Sequence, residues 1–343
     1  MDSVNNFQDW TQNTFLHTDQ YPHLRNKVQG FSLQGETVSL KLNIDSSYHI
    51  YLKDHVFGTD CFVPATMIIE LLFEAALFYC EYYRKIDVKE LKAVELLDFS
   101  ILRALAMTPG DSLDMEFLFK QITKRDSTIE FKIEIISNRV NKLNAIIGTR
   151  LNVTSQVILS TVSPQPPKLR IPDLAYTYYQ VPKDQYYSED FPSLGPLFQS
   201  SCARFAVSED KTCFIGEYDC LGKEKNFILG QESTFVTSPL GNDSCLQYAV
   251  FFSRIINQIG RLPIGGKKLQ FYKTHPLSGK VKVFVECVSI DDDMVSNIYS
   301  IDSTGIIFCA NEFVVRKSPY HKLVEREVFD KMLNKHKTKP FNW

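Results

Sequence analysis

Polar and apolar residues alternate at Val38, Leu40, Leu42 and Ile44, a period of two that predicts a half-buried strand over residues 38–50. The period then changes. From residue 65 to about 84, Ile68, Leu71, Leu72, Ala75, Ala76 and Tyr79 recur at helical spacing behind Pro64, predicting a long helix with a wide apolar face. Glu70 and Glu74 fall on one stripe of it, which reads as its solvated side. Strand-like runs follow at 93–102, 113–119, 128–136 and 145–153. A proline-rich stretch comes next, Ser163-Pro164-Gln165-Pro166-Pro167, with Pro172, Pro182 and Pro192 beyond it. Proline fixes φ and removes a donor, so this stretch is expected to stay out of any regular sheet and to act as a connector.

Beyond the connector the order recurs. Residues 197–206 and 212–218 read as strands, 243–259 as a helix, and 269–272, 280–289, 296–300 and 306–315 as strands. The pattern divides the chain into a polar leader (1–20), an N-terminal half (21–158), the connector (159–192), a C-terminal half (193–320) and a charged tail (321–343). The tail is Lys-rich and is expected to be a solvated helix or a frayed end. One long helix and about four antiparallel strands per half predict an α+β protein with two antiparallel sheets, each wrapped around a central helix.

Charge and cysteine content narrow the function classes. A formal net charge of −2 gives no electrostatic reason to expect nucleic acid or an anionic membrane as partner. None of the eight cysteines forms a C-x-x-C pair, which argues against a zinc site and for a reducing, cytoplasmic setting. The start of the chain lacks a basic segment followed by an apolar core. The longest apolar stretch, 67–79, is too short to span a bilayer and contains both Glu70 and Glu74.

Two residues stand out as chemistry. His55 follows a strand, lies near Gly58, and precedes the proline-started helix, whose unpaired N–H groups can polarise a carbonyl oxygen. Asp243 heads the second helix, and Gln247 lies one turn along the same face, where its amide can bond the carboxyl group. An aspartate at a helix start is also an ordinary N-cap. An imidazole and a carboxyl, one per half, suit proton removal and proton donation on one small substrate. Gly265-Gly266-Lys267 and His275-Pro276 read as turns, and the sequons at Asn152 and Asn242 carry no weight in a cytoplasmic protein.

These segments resemble the dehydratase domains of polyketide synthases, whose fold is a double hotdog, a pseudo-dimer within one chain. The motif H-x-x-x-G-x-x-x-x-P is matched by His55 and Pro64, with Thr59 at the glycine position and Gly58 one residue earlier. Y-G-P-x-F is similar to Leu194-Gly195-Pro196-Leu197-Phe198, and H-P-x-x-x-D-x-x-x-Q to Ser238-Pro239 through Asp243 and Gln247. Leu262-Pro263 followed by Gly265 is similar to a fourth motif.

The resemblance implies a 3-hydroxyacyl thioester on the phosphopantetheine arm of an acyl carrier protein, in polyketide or fatty-acid-like biosynthesis with other synthase domains. His55 would remove the α-proton, and Asp243, held by Gln247, would protonate the departing hydroxyl. Gly58, Thr59, Pro64, Leu194, Gly195, Pro196 and Phe198 would line the substrate site, with Thr59 narrowing it and Leu194 lacking the motif's hydroxyl. No metal or redox cofactor is implied, and a homodimer fits the habit of related domains. Three alternatives stand beside dehydration: a double-bond isomerase, a product-template-like cyclase, and a catalytically silent double hotdog serving as a docking unit.

Overall fold

The computed structural model describes residues 21–24, 27–34, 37–140, 145–188, 194–230, 234–319 and 325–341. The polar leader (1–20), Pro192 and the first residues of the charged tail (321–324) lie outside them. The chain divides into two compact units, one made of Met1–Ser163 and Glu224–Thr237, the other of Pro164–Lys223 and Ser238–Trp343.

The first unit contains β1 (Val28–Gln34), β2 (Thr37–Asp45), the hairpin strands β3 (Val56–Phe57) and β4 (Asp60–Phe62), helix α1 (Ala65–Phe78), β5 (Lys92–Ile101), β6 (Ala106–Met107), β7 (Ser112–Arg125), β8 (Thr128–Val140) and β9 (Ile146–Ser160). Its main sheet runs β1-β2-β7-β8-β9-β5, each pair antiparallel. Strands β3, β4 and β6 form a small second sheet. Strict alternation sends Val38, Leu40, Leu42 and Ile44 of β2, Leu113, Met115, Phe117 and Phe119 of β7, and Ile129, Phe131, Ile133 and Ile135 of β8 into one core.

Helix α1 lies in that core, and every residue from Thr66 to Phe78 is buried. At its end Tyr79 packs its ring 4.6 Å from Phe119 and 5.8 Å from Phe131. The expected solvated stripe is therefore wrong: Glu70 and Glu74 are both 0% exposed. The physical reason is that each carboxyl has captured donors far away in sequence. Glu70 accepts from the Val236 N–H at 2.5 Å, the Thr237 N–H at 2.7 Å and the Thr237 hydroxyl at 2.6 Å. Glu74 accepts from the His23 backbone N–H at 3.1 Å and contacts its Nδ1 at 2.8 Å. These hydrogen bonds offset part of the cost of burial, which still raises both carboxyls above the ordinary carboxylate range.

The second unit contains β10 (Tyr176–Gln180), the short helix α2 (Lys183–Tyr186), β11 (Ser201–Ser208), β12 (Cys213–Cys220), helix α3 (Pro239–Asn257), β13 (Arg261–Phe271), β14 (Gly279–Ile290), β15 (Asp293–Asp302), β16 (Gly305–Lys317), helix α4 (Arg326–Asn334) and β17 (Lys337–Thr338). Its strands are ordered β13-β16-β15-β14-β12-β11-β10-β17. Helix α3 packs against β12, β13, β14, β15 and β16. It is less apolar than α1, yet Asn242, Asp243, Ser244, Gln247, Ser253 and Arg254 are all buried on it.

Three expectations change here. The proline-rich stretch does contain a sheet strand: between Pro172 and Pro182, β10 pairs with β11 over Tyr176 to Gln180. Leu169 and Tyr176 cover the outer apolar face formed by Cys213, Ile215 and Phe284, so the connector is packed onto the sheet. The tail is also anchored. Phe329 and Leu333 of α4, one turn apart, are 0% and 4% exposed, and β17 adds to the free edge of β10. Finally, α3 starts at Pro239 behind Ser238, so Asp243 lies in the second turn and is not an N-cap.

Candidate active site

His55 is held on three sides by main chain. Its N–H donates to the Leu52 carbonyl at 3.3 Å, its carbonyl accepts from the Phe62 N–H at 3.0 Å, and its Nδ1 lies 3.0 Å from the Phe62 carbonyl oxygen. A carbonyl can only accept, so Nδ1 carries the proton and the lone pair of the neutral ring is on Nε2. The Phe57 ring stands edge-on to the imidazole at 5.0 Å. Burial pushes the imidazole down to about 4, against the opposing pull of the Phe62 carbonyl. The ring is therefore neutral at neutral pH, the form that can take a proton.

The hairpin that sets this geometry turns on Gly58 and Thr59, between the paired residues Phe57 and Asp60. Gly58 has φ +66° and Thr59 is not left-handed, the pattern of a two-residue turn that needs glycine first. The glycine one place early in the motif is thus a turn residue. Thr59 is exposed at the tip, its hydroxyl 3.5 Å from Asp60 Oδ1. Pro64 precedes α1 at φ −58°, ψ 148°, and no side chain caps that helix start.

In the second unit, Asp243 is 8% exposed. Gln247 Nε2 donates to Asp243 Oδ2 at 2.5 Å and to the Phe198 carbonyl at 3.1 Å. Gln247 Oε1 accepts from the Tyr187 hydroxyl at 3.5 Å, and that oxygen itself accepts from the Ser201 N–H at 2.8 Å. Partners on both ends of the amide fix which way it points. Burial raises the Tyr187 hydroxyl above its ordinary range, so it remains a donor.

The sequence-predicted Leu194, Gly195, Pro196 and Phe198 come together as the turn behind this clamp. Phe198 N–H bonds the Gly195 carbonyl at 3.0 Å, the Gln199 amide bonds the Leu194 carbonyl at 2.8 Å, and Lys223 Nζ bonds the Pro196 carbonyl at 2.7 Å. The turn's Phe198 carbonyl is what Gln247 reads.

Two neighbours of Asp243 escaped the sequence reading. Tyr187 sits in the stretch taken for a connector, and no local pattern marks it. His275, read as a turn residue, lies against the first turn of α3 and bonds Asn242 at 3.0 Å. Among the described residues no group of three or more His, Cys, Asp or Glu is placed to hold a metal ion, and no helix is long and apolar enough to cross a membrane.

No protein-family model matches the chain, and no curated protein sequence matches it. Solved structures do. The dehydratase domain from the CurF module of the curacin polyketide synthase is similar with a TM-score of 0.62 at 14% identity, covering 87% of this chain and 100% of that one. The dehydratase domain from the CurK module gives 0.61 at 15% identity, covering 87% and 98%. The dehydratase domain of PpsC from Mycobacterium tuberculosis gives 0.61 at 14% identity, covering 87% and 100%. Likeness at this identity is likeness of fold. The chain has the double-hotdog fold of these dehydratase domains, each unit an antiparallel sheet around one long helix.

Proposed function

We propose that this protein is a dehydratase that removes water from a 3-hydroxyacyl thioester and leaves an α,β-enoyl thioester. His55 Nε2 takes the α-proton while the thioester carbonyl accepts the developing negative charge. The bond from the β-carbon to its hydroxyl oxygen then breaks, and Asp243 supplies the proton with which that oxygen leaves as water. Proton exchange with solvent then returns His55 to its neutral form and Asp243 to its acid form. The elimination is redox-neutral, and the proposal includes no metal or cofactor. The substrate is carried on the phosphopantetheine arm of an acyl carrier protein, alongside other polyketide synthase domains.

The observation that carries this reading is the amide clamp on Asp243. A buried carboxyl gripped by Gln247, whose amide is itself fixed at both ends by Phe198 and Tyr187, is held in one orientation, as a proton donor must be. His55 adds a neutral base of defined tautomer. Dehydratase domains of the same fold depend on the same two residue types. The CurK dehydratase is inactive when one histidine is replaced by phenylalanine, and inactive when one aspartate is replaced by asparagine. The PpsC dehydratase domain binds an acyl-CoA, C12:1-CoA.

Mass spectrometry of 3-hydroxyacyl thioesters on a carrier or a pantetheine mimic tests the proposal. Loss of one water mass is expected, with His55→Ala and Asp243→Asn each reducing the rate by about two to four orders of magnitude. An unchanged mass with a moved double bond indicates an isomerase instead. No turnover across several chain lengths would sink the dehydratase reading.

A further inference from the structure

The first turn of α3 is gripped from outside by one residue. His275, in the loop after β13, donates its backbone N–H to Ser238 Oγ at 3.1 Å. Its Nε2 lies 3.0 Å from Asn242 Oδ1, and its Nδ1 is hydrogen-bonded to the Tyr218 hydroxyl. An amide oxygen can only accept, so Nε2 carries the proton and Nδ1 accepts from tyrosine. Tyr218 is itself fixed, its oxygen 3.3 Å from Ser300 Oγ. The imidazole also lies flat on the helix: a Cβ added at Gly241 would come within 2.4 Å of Nδ1 and 2.6 Å of Cγ. Gly241 is therefore required for close approach rather than for backbone freedom.

Ser238, Gly241 and Asn242 make up the turn that ends in Asp243. Ser238 does not cap the helix with its side chain, because its hydroxyl serves the His275 main chain. The ordinary means of stiffening a helix start is thus replaced by a ring wedged against it.

We propose that His275 is a positioning residue for Asp243: the neutral imidazole, held between Tyr218 and Asn242, locks the first turn of α3 and so fixes where the Asp243 carboxyl points. This rests on the reading of Asp243 as the proton donor. The loop after β13 consequently belongs to the active site although it need not touch substrate. Gln247 sets the carboxyl from the turn above, and His275 sets the backbone from the turn below.

Three variants of the full chain decide it: His275→Ala, His275→Gln, whose amide can still donate to Asn242, and Gly241→Ala, which displaces the ring from the helix side. Misplacing a catalytic group by about 1 Å costs about 100-fold. His275→Ala and Gly241→Ala are expected to lower kcat by about 10- to 100-fold with KM within about twofold, and to move the alkaline limb of the pH–rate profile that reports the acid. His275→Gln is expected to restore much of kcat and the position of that limb.

The same variants carrying 13C-labelled aspartate report the Asp243 carboxyl signal directly, assigned by its loss in Asp243→Asn. A shifted Asp243 titration in His275→Ala, recovered in His275→Gln, supports the proposal even if no thioester is dehydrated, an outcome that would refute the dehydratase reading alone. An unmoved Asp243 signal and limb in folded His275→Ala overturn it. If that variant does not fold, the same null result in Gly241→Ala overturns it.

Discussion

The depressed titration of His55 is open to direct measurement. Free histidine titrates near 6.5, whereas burial brings this ring to about 4. At about pH 5.5 an unperturbed imidazole would be only about one-tenth neutral, but one that titrates near 4 would be more than nine-tenths neutral. If His55 is the base, kcat/KM measured at pH 5.5 should therefore stay close to its value at pH 7.5, with its acid limb near 4. NMR of the His55 Cε1–H, assigned by its loss in His55→Gln, follows the same ionisation without requiring turnover.

The cause can be tested as well. Phe57 walls the ring edge-on at 5.0 Å, so Phe57→Ala should admit water and raise the titration toward 6.5. The sign for stability follows. Folded His55 holds its proton less tightly than the unfolded chain, so its contribution is complete above pH 6.5 and is lost as pH falls toward 4, by about 3 kcal/mol when fully charged. A wild-type midpoint near 6.5, or a Phe57→Ala midpoint no higher than wild type, would refute the burial argument.

Glu70 should give the opposite pH dependence. Burial first, and then the neighbouring Glu74, raise its carboxyl to about 7, so the folded chain binds a proton that the unfolded chain releases near 4.5. Its stabilising contribution is complete below 4.5 and falls by about 3 kcal/mol as pH rises through 7; in urea melts at pH 5 and 8, Glu70→Gln should remove that fall, and equal slopes in the two proteins would contradict the assignment. Gly58→Ala meets no atom within 4 Å, so its cost is backbone alone, about 1–2 kcal/mol from forcing an L-residue to φ +66°. A melt indistinguishable from wild type would show that the turn relaxes. Phe329→Ala should undock α4, with a ceiling of about 3–5 kcal/mol for a fully buried phenylalanine. Hydrogen exchange should quicken at β17 and at the β10 amides that pair with it, while β12 and β14 stay protected.

How far the sequence could be read depends on whether a residue's partner is its neighbour along the chain. Alternation located β2, β7 and β8 because one face of each is buried, and that face shows in a period of two without knowledge of what covers it. The Asp243–Gln247 contact was equally legible, since residues four apart on a helix must face each other. The failures share the opposite property. Glu70 and Glu74 looked solvated because periodicity names a face but not its covering, and their donors come from Thr237 and His23. Strand β10 was hidden because prolines flank it without falling inside it, and because its sheet role depends on β11 and β17. The start of α3 was placed late because Pro239 to Asn242 show no apolar period; the turn is held by His275 and Tyr218, residues no local pattern connects to it. Phe329 and Leu333 were in plain view at helical spacing, masked by the charge around them. The same rule divides the site. Residue types and spacings declare which groups can carry a proton, whereas the groups that aim them, the Phe62 and Phe198 carbonyls, Tyr187 and His275, are main-chain atoms or distant side chains. They become visible only when the chain is folded.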